Sequence, residues 1–145
     1  MAEQAILREV TLTLPLAQGA EIAASNAATA MAELMSMSAD RVDEVRLAVI
    51  EACINAIEHS KTPDGTVFIT CEILGTAEPE ILRITVRDGG IGFEPAEVED
   101  PDISQKIGDE NKRGWGLKIM RGLMDDVEFD SSERGTKVVM TKAKA

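Results

Sequence analysis

Cysteine, histidine, basic residues and long apolar runs are all scarce in this 145-residue chain. No apolar run approaches the ~18 residues of a membrane-spanning helix. The N-terminal MAEQAILREV has no signal-peptide pattern. Both absences point to the cytoplasm and leave no membrane partner. Cys53 and Cys71 stand in apolar segments without second-ligand spacing. That favours buried, reduced thiols over a disulfide or a cysteine metal site. With 15 basic against 26 acidic residues, net charge −11, the chain lacks the basic face that general nucleic-acid binding requires. No repeat, low-complexity segment or linker divides it, so residues 1–145 read as one domain with a real core.

The charge is unevenly spread. Residues 1–102 carry 6 basic and 19 acidic side chains, and residues 103–145 carry 9 basic and 7 acidic. An acidic body and a basic C-terminal part suit a basic protein partner and an anion, although solubility explains the acidity equally well.

Strict alternation from Glu9 to Leu14 predicts a half-buried strand, ended by Pro15. The Ala- and Met-rich stretch from Leu16 to about Met37 predicts a helix burying Ile22, Ala30, Leu34 and Met37. Ser38 or Asp40 can cap a second helix, Arg41 to Ser60. After a turn at Pro63-Asp64-Gly65, Thr66–Leu74 and Glu80–Arg87 read as an antiparallel strand pair. Residues 94–113 have no clean periodicity and predict a lid loop. A helix over Gly114–Met124 and strands over Val127–Phe129 and Lys137–Met140 close the chain. The order predicts an α/β (α+β) two-layer sandwich: a mixed, mostly antiparallel sheet with helices on one face.

The second helix carries an unusual stripe. Glu51, Asn55 and His59 recur every four residues in an otherwise apolar segment, which aligns them along one side of a helix. Leu47, Ile50, Ile54 and Ile57 flank the stripe on one side, and Val45, Val49, Ala52 and Cys53 on the other. A helix apolar on both flanks is largely buried, and its polar stripe then faces something polar. Read alone, the stripe fits a solvent-facing edge as well as a site. Later, Asp88 ends a strand in DGGIG, where Gly90 and Gly92 permit close backbone approach to a ligand. By itself that is also an ordinary turn. GWGL, after Lys112 and Arg113, is a glycine-rich entry into a helix that offers N–H groups to phosphate. It lacks both the GK[ST] of a Walker loop and the third glycine of a dinucleotide fingerprint.

In order, E-x-x-x-N-A-x-x-E-H (Glu51 to His59), D-x-G-x-G (Asp88 to Gly92), G-x-G-L (Gly114 to Leu117) and a late Gly-Thr (Gly135, Thr136) resemble the GHKL, or histidine-kinase-like, ATPases over about Glu9 to Thr141. The short form and the MRGLMDDVEF ending look most like the anti-sigma-factor serine/threonine kinases of the RsbW/SpoIIAB type. The resemblance implies a Bergerat-type ATP-binding fold with ATP and Mg2+. It makes Asn55 the magnesium ligand and Glu51 the catalytic carboxylate. Asp88 reads the adenine amino group, with Gly90 and Gly92 beside the base. Gly114, Gly116 and Leu117 form the phosphate box, Lys112 and Arg113 stand next to it, and Thr136 lies near the adenine end. His59 is a structural residue at the helix end. DENKRGWGL replaces the extended glycine-rich lid of histidine kinases, so which of Lys106, Lys112 and Arg113 meets the γ-phosphate stays open, as does the direction of Trp115.

The activity so implied is transfer of the γ-phosphate to a serine of a STAS-domain anti-sigma antagonist, by a protein that also sequesters a sigma factor. The family habit is a homodimer. Two rivals stand beside it: a nucleotide-gated binding switch without kinase activity, and an orphan ATPase part of a split histidine-kinase system.

Overall fold

The computed structural model describes residues 4–59, 65–88, 109–132 and 135–145. The Pro63-Asp64 turn, Gly90, Gly92 and the stretch 94–108 lie outside the described residues.

Residue alternation builds the sheet. In β2 (Thr66–Gly75) and β3 (Pro79–Asp88) the odd residues of one and the even residues of the other point inward. Val67, Ile69, Cys71 and Ile73 thus meet Leu82, Ile84 and Val86 on one buried face. β1 (Ala5–Pro15) pairs with β2, β2 with β3, β3 with β5 (Gly135–Ala143), and β5 with β4 (Asp126–Ser132). All four pairings are antiparallel and the order is β1-β2-β3-β5-β4. The sheet is therefore wholly antiparallel among the described residues rather than mixed. Its outer face carries an ion pair: Glu72 lies across from Arg83, and Arg83 Nε donates to Glu72 Oε1 at 2.8 Å.

Among the described residues three helices cover the other face: α1 (Ala20–Leu34), α2 (Ala39–His59) and α3 (Asp109–Leu123). α1 starts later than its propensity suggests because Gly19 takes a left-handed φ of 106°. It stops at Ser36, also left-handed, where Met37 N–H reaches back to Ala32 O. Its buried face consists of Ala20, Ala24, Ser25, Ala28, Thr29, Met31 and Ala32. Ile22 and Leu34, expected inside, are exposed, as is Ala30, while Met37 is buried as expected.

For α2 the cap is Ser38, whose Oγ accepts from Arg41 N–H at 3.2 Å, a contribution of about 1 kcal/mol. Val42, Val45, Ala48, Val49, Ala52 and Cys53 enter the core. On the opposite flank Leu47 is exposed and Ile50 and Ile54 are half-buried, so only one flank is fully covered. Arg46 ties α2 to α1 by donating to Asn26 Oδ1 and Thr29 Oγ1, each at 3.1 Å. At the far end buried Lys142 on β5 donates to the Leu123 carbonyl that ends α3, 3.7 Å from Glu44 of α2. A cation there suits the negative end of the helix dipole.

Candidate functional site

Two strand ends and one helix face converge on a cleft lined by Ala52, Asn55, Ala56, Val86, Asp88, Thr136 and Val138. It is partly open to solvent. Periodicity explains the convergence. Ala52, Asn55 and Ala56 are spaced by three and four and share one side of α2. The register pairs Val86 with Val138 and Arg87 with Lys137, so one further step sets Asp88 beside Thr136. Period two puts Asp88 on the face of Val86, and Thr136 on the face of Val138. Apolar walls with an amide, a carboxylate and a hydroxyl aimed inward are the usual make-up of a small-molecule site.

Asn55 is 6 % exposed and Asp88 is 4 % exposed. Thr136 Oγ1 is enclosed and has no hydrogen-bond partner among the described residues. Burying a hydroxyl without a partner costs about 1–3 kcal/mol, so a bound ligand that engages it would recover that loss. Among the described residues no three His, Cys, Asp or Glu side chains gather into a metal cluster. A divalent ion in this cleft would rest on the Asn55 amide oxygen and on oxygens of a phosphorylated ligand and water, a donor set that suits Mg2+.

Glu51 is half-buried, one turn before Asn55 on α2, where α2 meets α3. Its Oε1 lies 2.9 Å from where a Cβ on Gly116 would be. Leu117 is buried in the hydrophobic core. Trp115 is 61 % exposed, and Lys118 Nζ lies 5.3 Å from its ring centroid, so this side chain points into solvent. His59 is the last residue of α2.

One expectation is corrected. α3 begins at Asp109, five residues before Gly114, so the last part of the expected lid, 109–113, is helical. Lys112, Arg113, Gly114 and Gly116 therefore lie within the helix. Only the first four N–H groups of a helix are free. Gly116 is beyond them, so its N–H belongs to the helical ladder. Glu110, Lys112 and Arg113 are good helix formers, and an acidic start suits the dipole.

Sequence reasoning missed the walls of the cleft: Ala52, Ala56, Val86 and Val138. The signal was there in spacing, since each lies one helical step or one strand repeat from a polar site residue. The two thiols are as expected. Cys53 and Cys71 are free and buried, and burial pushes each up to about 12, with Glu21 adding to the shift at Cys53 and Glu72 at Cys71.

Comparison with known proteins gives the site its context. Residues 14–142 match the family model described as the histidine kinase-like ATPase domain. The anti-sigma F factor of Bacillus velezensis is 34% identical over 130 residues, covering 88% of this chain and 86% of that protein. The serine-protein kinase RsbW of Bacillus cereus is 32% identical over 117 residues, covering 77% and 70%. In fold the chain is similar to the crystal structure of the RsbU and RsbW domains of a Mycobacterium tuberculosis protein. There the TM-score is 0.67 at 16% identity, over 93% of this chain and 32% of that one.

Proposed function

The chain belongs to the histidine kinase-like ATPase domain family, and on that premise we propose that it is an ATP–Mg2+-dependent serine kinase of the anti-sigma-factor type. Its acceptor is a STAS-domain antagonist in the cytoplasm, and its second partner a sigma factor. The observation that carries the reading is the convergence of Asn55, Asp88 and Thr136 on one cleft, with the Thr136 hydroxyl unpartnered among the described residues. Adenine suits the Asp88–Thr136 end, where a carboxylate accepts from an exocyclic amine and a hydroxyl completes the polar edge. Asn55 would hold Mg2+, which neutralises phosphate charge as the γ-phosphoryl group departs.

In this reading the acceptor serine Oγ attacks the γ-phosphorus while its proton passes to the Glu51 carboxylate. The bond from phosphorus to the bridging oxygen breaks, and ADP leaves with that electron pair. Lys106, Lys112 and Arg113 are the cations near enough in sequence to meet the transferred group, together with Gly90, Gly92, Gly114 and Gly116 around the nucleotide.

The test is transfer of labelled γ-phosphate to a cognate STAS protein. Glu51→Gln should lower the rate by two orders of magnitude or more, and full activity of that variant would remove Glu51 from the chemistry. A second reading rests on the cleft alone, which Asn55, Asp88 and Thr136 line. A nucleotide-gated switch needs only the cleft. Saturable ATP binding with no transfer by the wild-type protein would select it, and acid-labile phosphate on a histidine partner would select a split histidine kinase.

A further inference from the structure

α3 contains two glycines whose positions can be compared, Gly116 and Gly122. In a helix interior each costs up to about 1 kcal/mol relative to alanine. At Gly122 a Cβ would meet nothing within 4 Å. At Gly116, which is buried, a Cβ would stand 2.9 Å from Glu51 Oε1, 3.6 Å from its Cγ and 3.7 Å from its Cδ. Only the contact with the carboxylate oxygen is too close; the other two are ordinary van der Waals contacts. The space a side chain would take at position 116 is therefore the space the Glu51 carboxylate occupies.

We infer that Gly116 is a positioning residue for Glu51: its missing side chain holds open the place of that carboxylate at the α2–α3 seam. The clash would fall on the far end of a flexible side chain. An alanine at 116 therefore displaces the carboxylate and leaves the fold intact, and alanine keeps the backbone N–H. Displacement of about an ångström in a general base is enough to slow proton transfer severely. The kinetic part of this inference rests on Glu51 acting as the base proposed above. The steric part does not.

The experiment compares Gly116→Ala, Gly122→Ala, Glu51→Asp and the Gly116→Ala/Glu51→Asp pair with the wild type. Gly116→Ala should lower kcat for phosphotransfer at least tenfold with KM for ATP within twofold. Gly122→Ala should change neither. With Glu51→Asp, whose carboxylate is one methylene further back, adding Gly116→Ala should cost less than a further twofold. An equal loss in both backgrounds, or a rise in KM in place of the fall in kcat, would overturn the inference. A nucleotide-free cycle reads the contact alone: Gly116→Ala should raise the melting temperature by at least 2 °C more in a Glu51→Ala background than in wild type. Absence of that coupling refutes the inference. Coupling without any wild-type phosphotransfer would support the steric assignment and refute only the kinase reading.

Discussion

Replacing Thr136 by valine should stabilise the unliganded protein and weaken its grip on ATP. The two side chains are nearly isosteric, so the perturbation is the hydroxyl alone. Thr136 Oγ1 is enclosed without a hydrogen-bond partner among the described residues, and such a group carries a penalty of about 1–3 kcal/mol. Taking the low end, removing it raises the melting temperature by about 3–5 °C in a domain of this size. The same hydroxyl, paired with nucleotide, is worth about 0.5–1.5 kcal/mol, so ATP affinity should fall roughly three- to tenfold. Thermal melts with and without saturating Mg–ATP read both terms at once. The variant should melt higher when empty and gain less from the ligand. A variant that melts lower when empty would show that the hydroxyl already has a partner. Unchanged affinity would place the nucleotide elsewhere.

The other predictions concern the frame around the cleft. Lys142→Met should lower stability by about 1–3 kcal/mol, measured by urea unfolding, because it leaves the Leu123 carbonyl without its buried cation. No loss of stability on urea unfolding would refute the assignment of Lys142 as a tie between α3 and the sheet. Cys53 and Cys71 should make the fold sensitive to alkali. Both are raised to about 12 by burial, against about 8.5 in an unfolded chain. The folded state therefore keeps protons that the unfolded chain releases, and the contribution is complete below about pH 8.5. It is lost progressively as pH rises toward 12, by at most about 1.4 kcal/mol per unit per thiol. A Cys53→Ala/Cys71→Ala variant should show a shallower decline between pH 9 and 11 in denaturant titrations, and an unchanged slope would refute the burial argument.

What could be read from the chain depended on whether local pattern or distant contact decided the outcome. The inner faces of β2 and β3 follow from alternation, and the Ser38 cap of α2 follows from residue type. The motif order also brought Asn55, Asp88 and Thr136 forward, and the β3–β5 register together with α2 gathers them into one cleft. The buried face of α1 went wrong because Ile22 and Leu34 are more apolar than Ala24 and Ala28, yet they lie on the exposed side of the helix. Leu47 is exposed for a related reason: α3 and α1 lie to either side of α2 and leave part of its outer flank open. Residues 5–8 show no alternation, being exposed on both faces, so β1 begins before its pattern does. The pairing of Glu51 with Gly116 joins residues 65 positions apart in different helices. Nothing local marks it.

The most direct test of the central claim is a calorimetric titration of Mg–ATP into the wild-type protein and into Asp88→Asn. Asparagine keeps the shape of Asp88 but puts an amide donor where the buried carboxylate would accept from the adenine amino group. The wild type should bind one nucleotide per chain, and the variant at least tenfold more weakly while melting as a folded domain. Equal affinity in the two proteins, or no binding by the wild type, would contradict an adenine nucleotide in the Asn55–Asp88–Thr136 cleft.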